Sequence, residues 1–278
     1  MTPHAWRQDA IHRLRAAGNP DCEVDPDWML CEMLNTSRSF VQLMKNDPLP
    51  LPVREKLDGW LSRREAGEPL QYILGNTQFM GLKVSCDRRA FIPRPESEIL
   101  CNAACSYITV RAGVIRILDM CTGSGAIGLA IAALFSVALT MTDLSLGAIE
   151  LAKENADWLH IEARIVQGDL FEPVRGERFD VIVCNPPYAR SADIPNLQRE
   201  VLAEPKMALD GGEDGLVFYR RIAVKLDDHL APSGAAFFEV GEGQSGEVAR
   251  MMERIGRIEI TDDLRGIPRV VAVYKDGG

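Results

Sequence analysis

Histidine is scarce in this chain: four occur in 278 residues, at positions 4, 12, 160 and 229, and none stands at ligand spacing from a cysteine or carboxylate cluster. The usual zinc constellations are thereby excluded, and no metal is expected. The seven cysteines (22, 31, 86, 101, 105, 121 and 184) are odd in number and scattered without a C-x-x-C pair, so a disulfide framework and a zinc ribbon are both excluded. Reduced thiols are predicted. No run reaches the ~18 apolar residues that a membrane span requires, and the first residues carry His4, Arg7 and Asp9 where a secretory leader has an apolar core. A cytoplasmic location is expected, with no membrane partner. Excess positive charge is missing too: the net charge of −9 argues against a general phosphate-binding surface and favours a protein partner over duplex DNA.

What the chain does have is apolar content, 46% of its residues, enough for one large core and a second small one. Residues 1–75 read as helices only. Trp6, Ala10, Ile11, Leu14 and Ala17 recur at helical spacing until Gly18-Asn19-Pro20 ends the segment. Asp25-Pro26 has the form of a cap with proline at the first helical position, Ser37 can cap a third helix, and Pro52 opens a fourth that carries Leu57, Trp60 and Leu61 on one face. The aromatic and methionine positions here read as core. Acid and base nearly balance over residues 1–85, so the net acidity belongs to the remainder. Residues 76–90 form a linker, with 77–85 alternating around Gly81 like a hairpin. Residues 91–278 form the larger domain.

Beyond residue 113 strands and helices alternate: strands at 114–119, 137–142, 163–167 and 179–184, helices at 124–134 and 145–158. Such alternation implies an α/β fold with a parallel sheet and right-handed crossovers, in which ligands sit at the carboxyl ends of the strands. Gly123, Asp143, Asp169 and Asn185 all fall at such ends. A helix at 215–230, a strand at 235–240 and two late strands near 257–263 and 269–274 complete the pattern. The late pair lacks an intervening helix, so the last strand is expected to insert antiparallel.

The turn Met120-Cys121-Thr122-Gly123-Ser124-Gly125 leads from a buried strand into an apolar helix, a geometry that brings backbone close to a ligand. Asp143 closes the next strand, where an acid can accept hydrogen bonds from both ribose hydroxyls. The stretch 123–128 also satisfies the dinucleotide pattern G-x-G-x-x-G, with Asp143 at about the ~20-residue distance. Asp119 shifts the balance, because a carboxylate beside the loop repels a pyrophosphate and welcomes a sulfonium or ammonium group. The long stretch ahead of the motif shifts it the same way. S-adenosyl-L-methionine is therefore the expected cofactor, against a dinucleotide or a turn that only packs.

Asn185-Pro186-Pro187-Tyr188 follows the strand at 179–184 and offers acceptors with few donors, since the prolines have no N–H. Its ligand should bring hydrogens: an amide, an aniline-like nitrogen or an exocyclic base amine. Upstream, Phe91-Ile92-Pro93-Arg94-Pro95-Glu96 is stiffened by two prolines and reads either as a wall or lid over the cofactor or as the start of a helix.

Together with residues 69–75 (PLQYILG), 122–127 (TGSGAI), Glu204-Pro205, 211–215 (GGEDG) and 269–271 (RVV), these segments resemble the release-factor glutamine methyltransferases, the PrmC/HemK family of class I methyltransferases, over roughly residues 65–275. The resemblance implies a doubly wound, mostly parallel seven-stranded sheet with an antiparallel last strand, plus a small all-helical N-terminal domain for substrate recognition. It implies transfer of a methyl group from S-adenosylmethionine to the side-chain amide nitrogen of the glutamine in the Gly-Gly-Gln loop of class I peptide-chain release factors. By position, Cys121, Thr122, Gly123, Ser124 and Gly125 contact the methionine part of the cofactor beside Asp119. Asp143 and Leu144 hold the ribose, Asp169 and Leu170 border the adenine, and Asn185 to Tyr188 hold the glutamine. Cys121 stands where the pattern has a glycine, Leu170 where an aromatic is common, and Ala189-Arg190 where an apolar residue follows the tyrosine. Acceptors at the Asn185 side chain and the Pro186 carbonyl would turn the amide nitrogen's lone pair toward the methyl group, and positioning of this kind supplies up to ~7–11 kcal/mol. The rival readings are a nucleic-acid amino methyltransferase acting on a flipped base, a non-catalytic cofactor-binding module, and an NAD-dependent oxidoreductase.

Overall fold

The computed structural model describes residues 1–44 and 47–276. The chain divides into two compact units, 1–76 with 198–203, and 77–197 with 204–278. Among the described residues no helix is long and apolar enough to cross a membrane.

The first unit is helical: α1 (Pro3–Ala16), α2 (Asp25–Leu34), α3 (Arg38–Leu43), α4 (Leu51–Glu65) and α5 (Leu70–Leu74). Thr2 caps α1 by accepting from the Ala5 N–H, and Ser37 caps α3 in the same way, accepting from the Phe40 N–H. Trp6, Leu14, Met29, Leu30, Leu57 and Leu61 make its buried core. Two expectations change. Trp28 and Phe40 lie exposed, because each falls on the outer face of a short helix. Asp25 is the first residue of α2 rather than its cap; its buried carboxylate accepts from Arg64 Nε at 2.6 Å, and Arg64 Nη1 also reaches Glu200 at 2.6 Å. The short segment 198–203 thus completes an ion cluster that its position in the sequence does not reveal.

The second unit opens on a hairpin, β1 (Asn76–Phe79) and β2 (Leu82–Ser85), whose turn residues Met80 and Gly81 both have positive φ, as a two-residue hairpin loop requires. Then follow α6 (Pro95–Thr109), β3 (Ile115–Met120), α7 (Ala126–Leu134), β4 (Val137–Asp143), α8 (Leu146–Leu159), β5 (Ala163–Gln167), β6 (Phe179–Cys184), α9 (Val217–His229), β7 (Leu230–Glu239), α10 (Ser245–Met252), β8 (Gly256–Asp262) and β9 (Pro268–Lys275). The sheet runs β5-β4-β3-β6-β7-β9-β8, with β9 antiparallel to both of its neighbours. This is the class I methyltransferase arrangement. Alternate strand residues feed two cores, one on each face: Ile117, Val181 and Phe237 on one, Leu118, Ile182 and Phe238 on the other. Strand β7 starts five residues ahead of its expected position, because Leu230 already pairs with Phe179 before an irregularity in the ladder.

Strand order reverses between β3, which leads outward to β4 and β5, and β6, which leads the other way to β7. A crevice at the carboxyl ends of β3 and β6 is what this reversal creates.

Candidate active site

The turn after β3 is built from left-handed residues: Cys121 at φ +59°, Gly123 at +58° and Gly125 at +83°. For Cys121 this conformation costs roughly 1–2 kcal/mol, and it is the conformation a glycine would take without cost. At Gly123 an added Cβ would meet only Ala90 Cβ at 3.9 Å, so its face is open to a ligand; at Gly125 it would press on Leu129 and Ala152. Beneath the turn, Asp119 Oδ2 accepts from the Thr122 hydroxyl at 2.5 Å and from the Gly128 N–H at 2.9 Å. Among the described residues its Oδ1 is buried without a partner. Burial pushes the Asp119 carboxyl up to about 7 against the pull of those two hydrogen bonds. Asp119 therefore lies under the loop that it shapes, not beside it. Buried Asn155 of α8 secures the same turn, donating to Ser124 O at 2.9 Å while gripping the Ser85 backbone of β2 through both its amide oxygen and its nitrogen.

Asp143 ends β4 facing the turn. Its Oδ2 accepts from the Gly123 N–H at 2.9 Å and its Oδ1 from the Ser145 N–H at 2.8 Å, with acceptor capacity left on the carboxylate. Burial raises its pKa while the backbone donors lower it. Ser145 then caps α8, and Leu144 is exposed beside it. The Gly168 N–H donates to Asp143 O, which brings the segment after β5 to the same place. There Asp169 pairs with Arg221, and Leu170, at φ +49°, is buried. The nearby aromatic, Phe171, is taken up by stacking on His229 at 4.3 Å.

Asn185 follows β6 directly. Its Nδ2 donates to Ser97 Oγ at 3.2 Å, and among the described residues its Oδ1 accepts nothing. Ser97 Oγ in turn donates to Glu239 Oε2 at 2.5 Å, and the Tyr188 hydroxyl donates to Glu239 Oε1 at 3.4 Å. Pro186 and Pro187 are buried. The segment 211–215 packs on this turn so closely that a Cβ on Gly211 would stand 2.8 Å from Pro187 O and one on Gly215 closer still to Tyr188 O. Gln244 closes the arrangement, donating to Tyr188 O at 2.9 Å.

The 91–96 segment is pinned. Glu204 is buried; its Oε2 accepts from the Ile92 N–H at 2.9 Å, its Oε1 pairs with Arg94, and Arg94 lies 4.9 Å over the Phe91 ring. Pro95 is the first residue of α6, so wall and helix start coincide in one segment, with Pro93 and Glu96 half-buried. Ser97, Glu239 and Gln244 carry no signal within their own stretches of sequence beyond the position of Glu239 at the end of a strand. Among the described residues no cluster of His, Cys, Asp and Glu can hold a metal ion.

A family model described as "Methyltransferase small domain" matches residues 107–230, and one described as "PrmC N-terminal domain" matches residues 5–75. The release factor glutamine methyltransferase of Clostridium acetobutylicum is 41% identical over 261 residues, 91% of each chain. That of Deinococcus radiodurans is 34% identical over 271 residues, 97% of each chain. The T. thermophilus 16S rRNA N2 G1207 methyltransferase, solved in complex with AdoMet and guanosine, shares the fold at 17% identity and a TM-score of 0.51, over 72% of this chain and 49% of that one. Whole-length identity at this level, spanning both the helical unit and the glycine turn with its Asn-Pro-Pro-Tyr partner, means that the chain belongs to the release factor glutamine methyltransferases.

Proposed function

We propose that this protein methylates the side-chain amide nitrogen of the glutamine in the Gly-Gly-Gln motif of class I peptide-chain release factors, with S-adenosylmethionine as donor. The observation that carries the reading is Asn185: its amide is tethered through Nδ2, which leaves Oδ1 as an acceptor at the mouth of the crevice where the glycine turn and Asp143 also converge. The relatives' substrate class and the net charge of −9 give the nucleic-acid alternative no support.

The residues fit the cofactor. Gly123 presents an open backbone face, the acceptor capacity left on Asp143 suits a pair of hydroxyls, and the orphaned Oδ1 of Asp119 adds a negative potential under the turn. Residues 121–125 would hold the methionine part, Asp143 and Leu144 the ribose, and Asp169 with Leu170 the adenine edge. When bound, S-adenosylmethionine supplies an electrophilic methyl group on a sulfonium.

The chain's own task is to prepare a poor nucleophile. An amide nitrogen shares its lone pair with the carbonyl, so Asn185 Oδ1 and the Pro186 carbonyl would accept its two N–H bonds, turn the NH2 out of conjugation and aim the lone pair. Orientation of this kind contributes up to ~7–11 kcal/mol without a strong base. Pro187 and Tyr188 supply apolar walls, and the proton leaves once nitrogen has been alkylated. Residues 91–96, held by Glu204, form a wall of the site. The helical unit recognises the body of the release factor: deletion of residues 1–75 should raise KM for the intact factor far more than for a Gly-Gly-Gln peptide, and equal effects would refute that role. A release-factor substrate would be met in the cytoplasm, the location that this reading implies.

The test is Asn185→Ala. Methyl transfer should fall at least ~100-fold, the scale on which a positioning group acts, while cofactor affinity, measured by calorimetry, stays within a few fold; undiminished turnover would refute the reading.

A further inference from the structure

An asparagine side chain is nearly symmetric in shape and opposite in chemistry at its two ends, so Asn185 can serve as an acceptor only if something decides which end faces the substrate. The decision is made by two side chains behind it. Glu239 is 1% exposed at the end of β7, and as a carboxylate it only accepts. Ser97, 2% exposed in the first turn of α6, must therefore direct its one hydroxyl proton to Glu239 Oε2, 2.5 Å away. What remains on Ser97 Oγ is a lone pair, and a lone pair can satisfy only the NH2 end of Asn185, which it meets at 3.2 Å. Oδ1 is left facing the crevice. The same carboxylate receives the Tyr188 hydroxyl on Oε1, and the Tyr219 hydroxyl holds the Glu239 carbonyl at 2.7 Å, so one buried acid ties both ends of the 185–188 turn.

We propose that Ser97 and Glu239 are positioning residues for methyl transfer, a relay that sets the orientation of the Asn185 amide and thereby makes the site an acceptor of N–H groups. The proposal rests on the reading of Asn185 as the residue that receives the glutamine amide. In the reversed relay the Ser97 proton turns toward Asn185, the amide flips, and two N–H groups meet the two N–H groups of the substrate. That arrangement binds the glutamine poorly and leaves its lone pair in conjugation.

The charged and titratable groups that face Glu239 are Glu96 and Cys101 of α6, Tyr188 of the 185–188 turn, Tyr219 of α9 and Arg269 of β9. Glu96 of α6 disfavours its ionised form, Arg269 of β9 favours it while itself paired with Asp263 at 3.1 Å, and the Ser97 and Tyr188 hydroxyls donate to it. Burial prevails and pushes the acid up to about 7. The protonated acid has a donor of its own and releases the Ser97 hydroxyl, so the acceptor orientation is secured only above that range.

The experiment measures kcat and KM on an intact class I release factor at saturating S-adenosylmethionine, from about pH 5.5 to about pH 8.5, a window that brackets the acid's titration. Wild type, Ser97→Ala and Glu239→Gln are compared, with cofactor affinity by calorimetry. Ser97→Ala should lower kcat at least ~10-fold at about pH 8, the tenfold that ~1.4 kcal/mol of lost orientation gives, with cofactor affinity within twofold of wild type. Wild-type kcat should rise through about pH 7, and Glu239→Gln should lower kcat and flatten that rise. Either variant within twofold of wild-type kcat, or an unchanged pH profile in Glu239→Gln, would overturn the proposal; if Glu239→Gln does not fold, Ser97→Ala decides it. Transfer by the wild type together with unaffected variants overturns the relay alone, whereas no transfer by the wild type overturns the proposed function and the relay with it.

Discussion

Replacing Asp119 by asparagine should make the protein more stable and a weaker cofactor binder at once. Burial raises this carboxyl from 3.8 to about 7, so between those values the folded chain holds a proton that the unfolded chain has lost. Stability therefore falls as pH rises through that window, and above it the ionised, buried Asp119 costs the fold about 4 kcal/mol, from ~3 pKa units at ~1.36 kcal/mol each. The substituted amide would keep the hydrogen bonds from Thr122 and Gly128 on its oxygen and set its NH2 where Oδ1 now has no partner, an unpaired group costing ~1–3 kcal/mol. The net expectation at about pH 8 is a gain of ~1–3 kcal/mol, larger by ~2–3 kcal/mol than at about pH 5, where the folded wild type is still protonated. Urea unfolding of both proteins at the two pH values, with reductant present, measures it. Affinity for S-adenosylmethionine at the higher pH should fall, because the amide offers its cationic groups no charge. A variant equally or less stable there, or a difference that does not grow with pH, would refute the account of Asp119 as a strained acid beneath the turn.

Gly123→Ala and Gly125→Ala both place an alanine in the left-handed region at ~1–2 kcal/mol; beyond that the first puts its methyl group in open space and should weaken cofactor binding, while the second, pressing on Leu129 and Ala152, should cost a further ~1–3 kcal/mol of stability. Calorimetry and thermal melts distinguish them. Gly215→Ala should abolish methyl transfer with the cofactor still bound, since its Cβ would displace Tyr188 O; wild-type turnover would show that the 211–215 contact does not set the turn. Arg64→Ala should destabilise the helical unit by ~3–5 kcal/mol, because it leaves Asp25 buried without its partner, and a loss under ~1 kcal/mol by chemical denaturation would contradict that.

The elements most legible in the sequence are the deeply buried ones. Strand β6 spans 179–184 as expected, because its apolar run is bounded by Arg178 and by Asn185-Pro186, and helix α7 begins just after Gly125 and ends at the expected Leu134. The strand ends carrying Gly123, Asp143 and Asn185 are legible for the same reason, and the antiparallel β9 follows from the missing helix. Pairings across long separations are not legible. Ser97 meets Glu239 across 142 positions, and Arg64 meets Glu200 across 136, with no periodicity to announce either. Asp25-Pro26 illustrates a local signal overridden: the carboxylate that looks like a cap serves the fold instead as the partner of a buried guanidinium. Helical spacing places Trp6 inside correctly and Trp28 incorrectly, since a short amphipathic helix can carry an aromatic on either face. Cys121 shows what one residue type conceals, since only the backbone reveals that it holds a glycine's left-handed conformation.

The central claim is the acceptor atom. Purified protein should be incubated with methyl-labelled S-adenosylmethionine and, separately, an intact class I release factor, the same factor with alanine for the glutamine of its Gly-Gly-Gln loop, and an oligonucleotide. Label on the intact factor alone is the predicted result. Equal label on the alanine variant, label on the oligonucleotide, or no label on any of the three would contradict it.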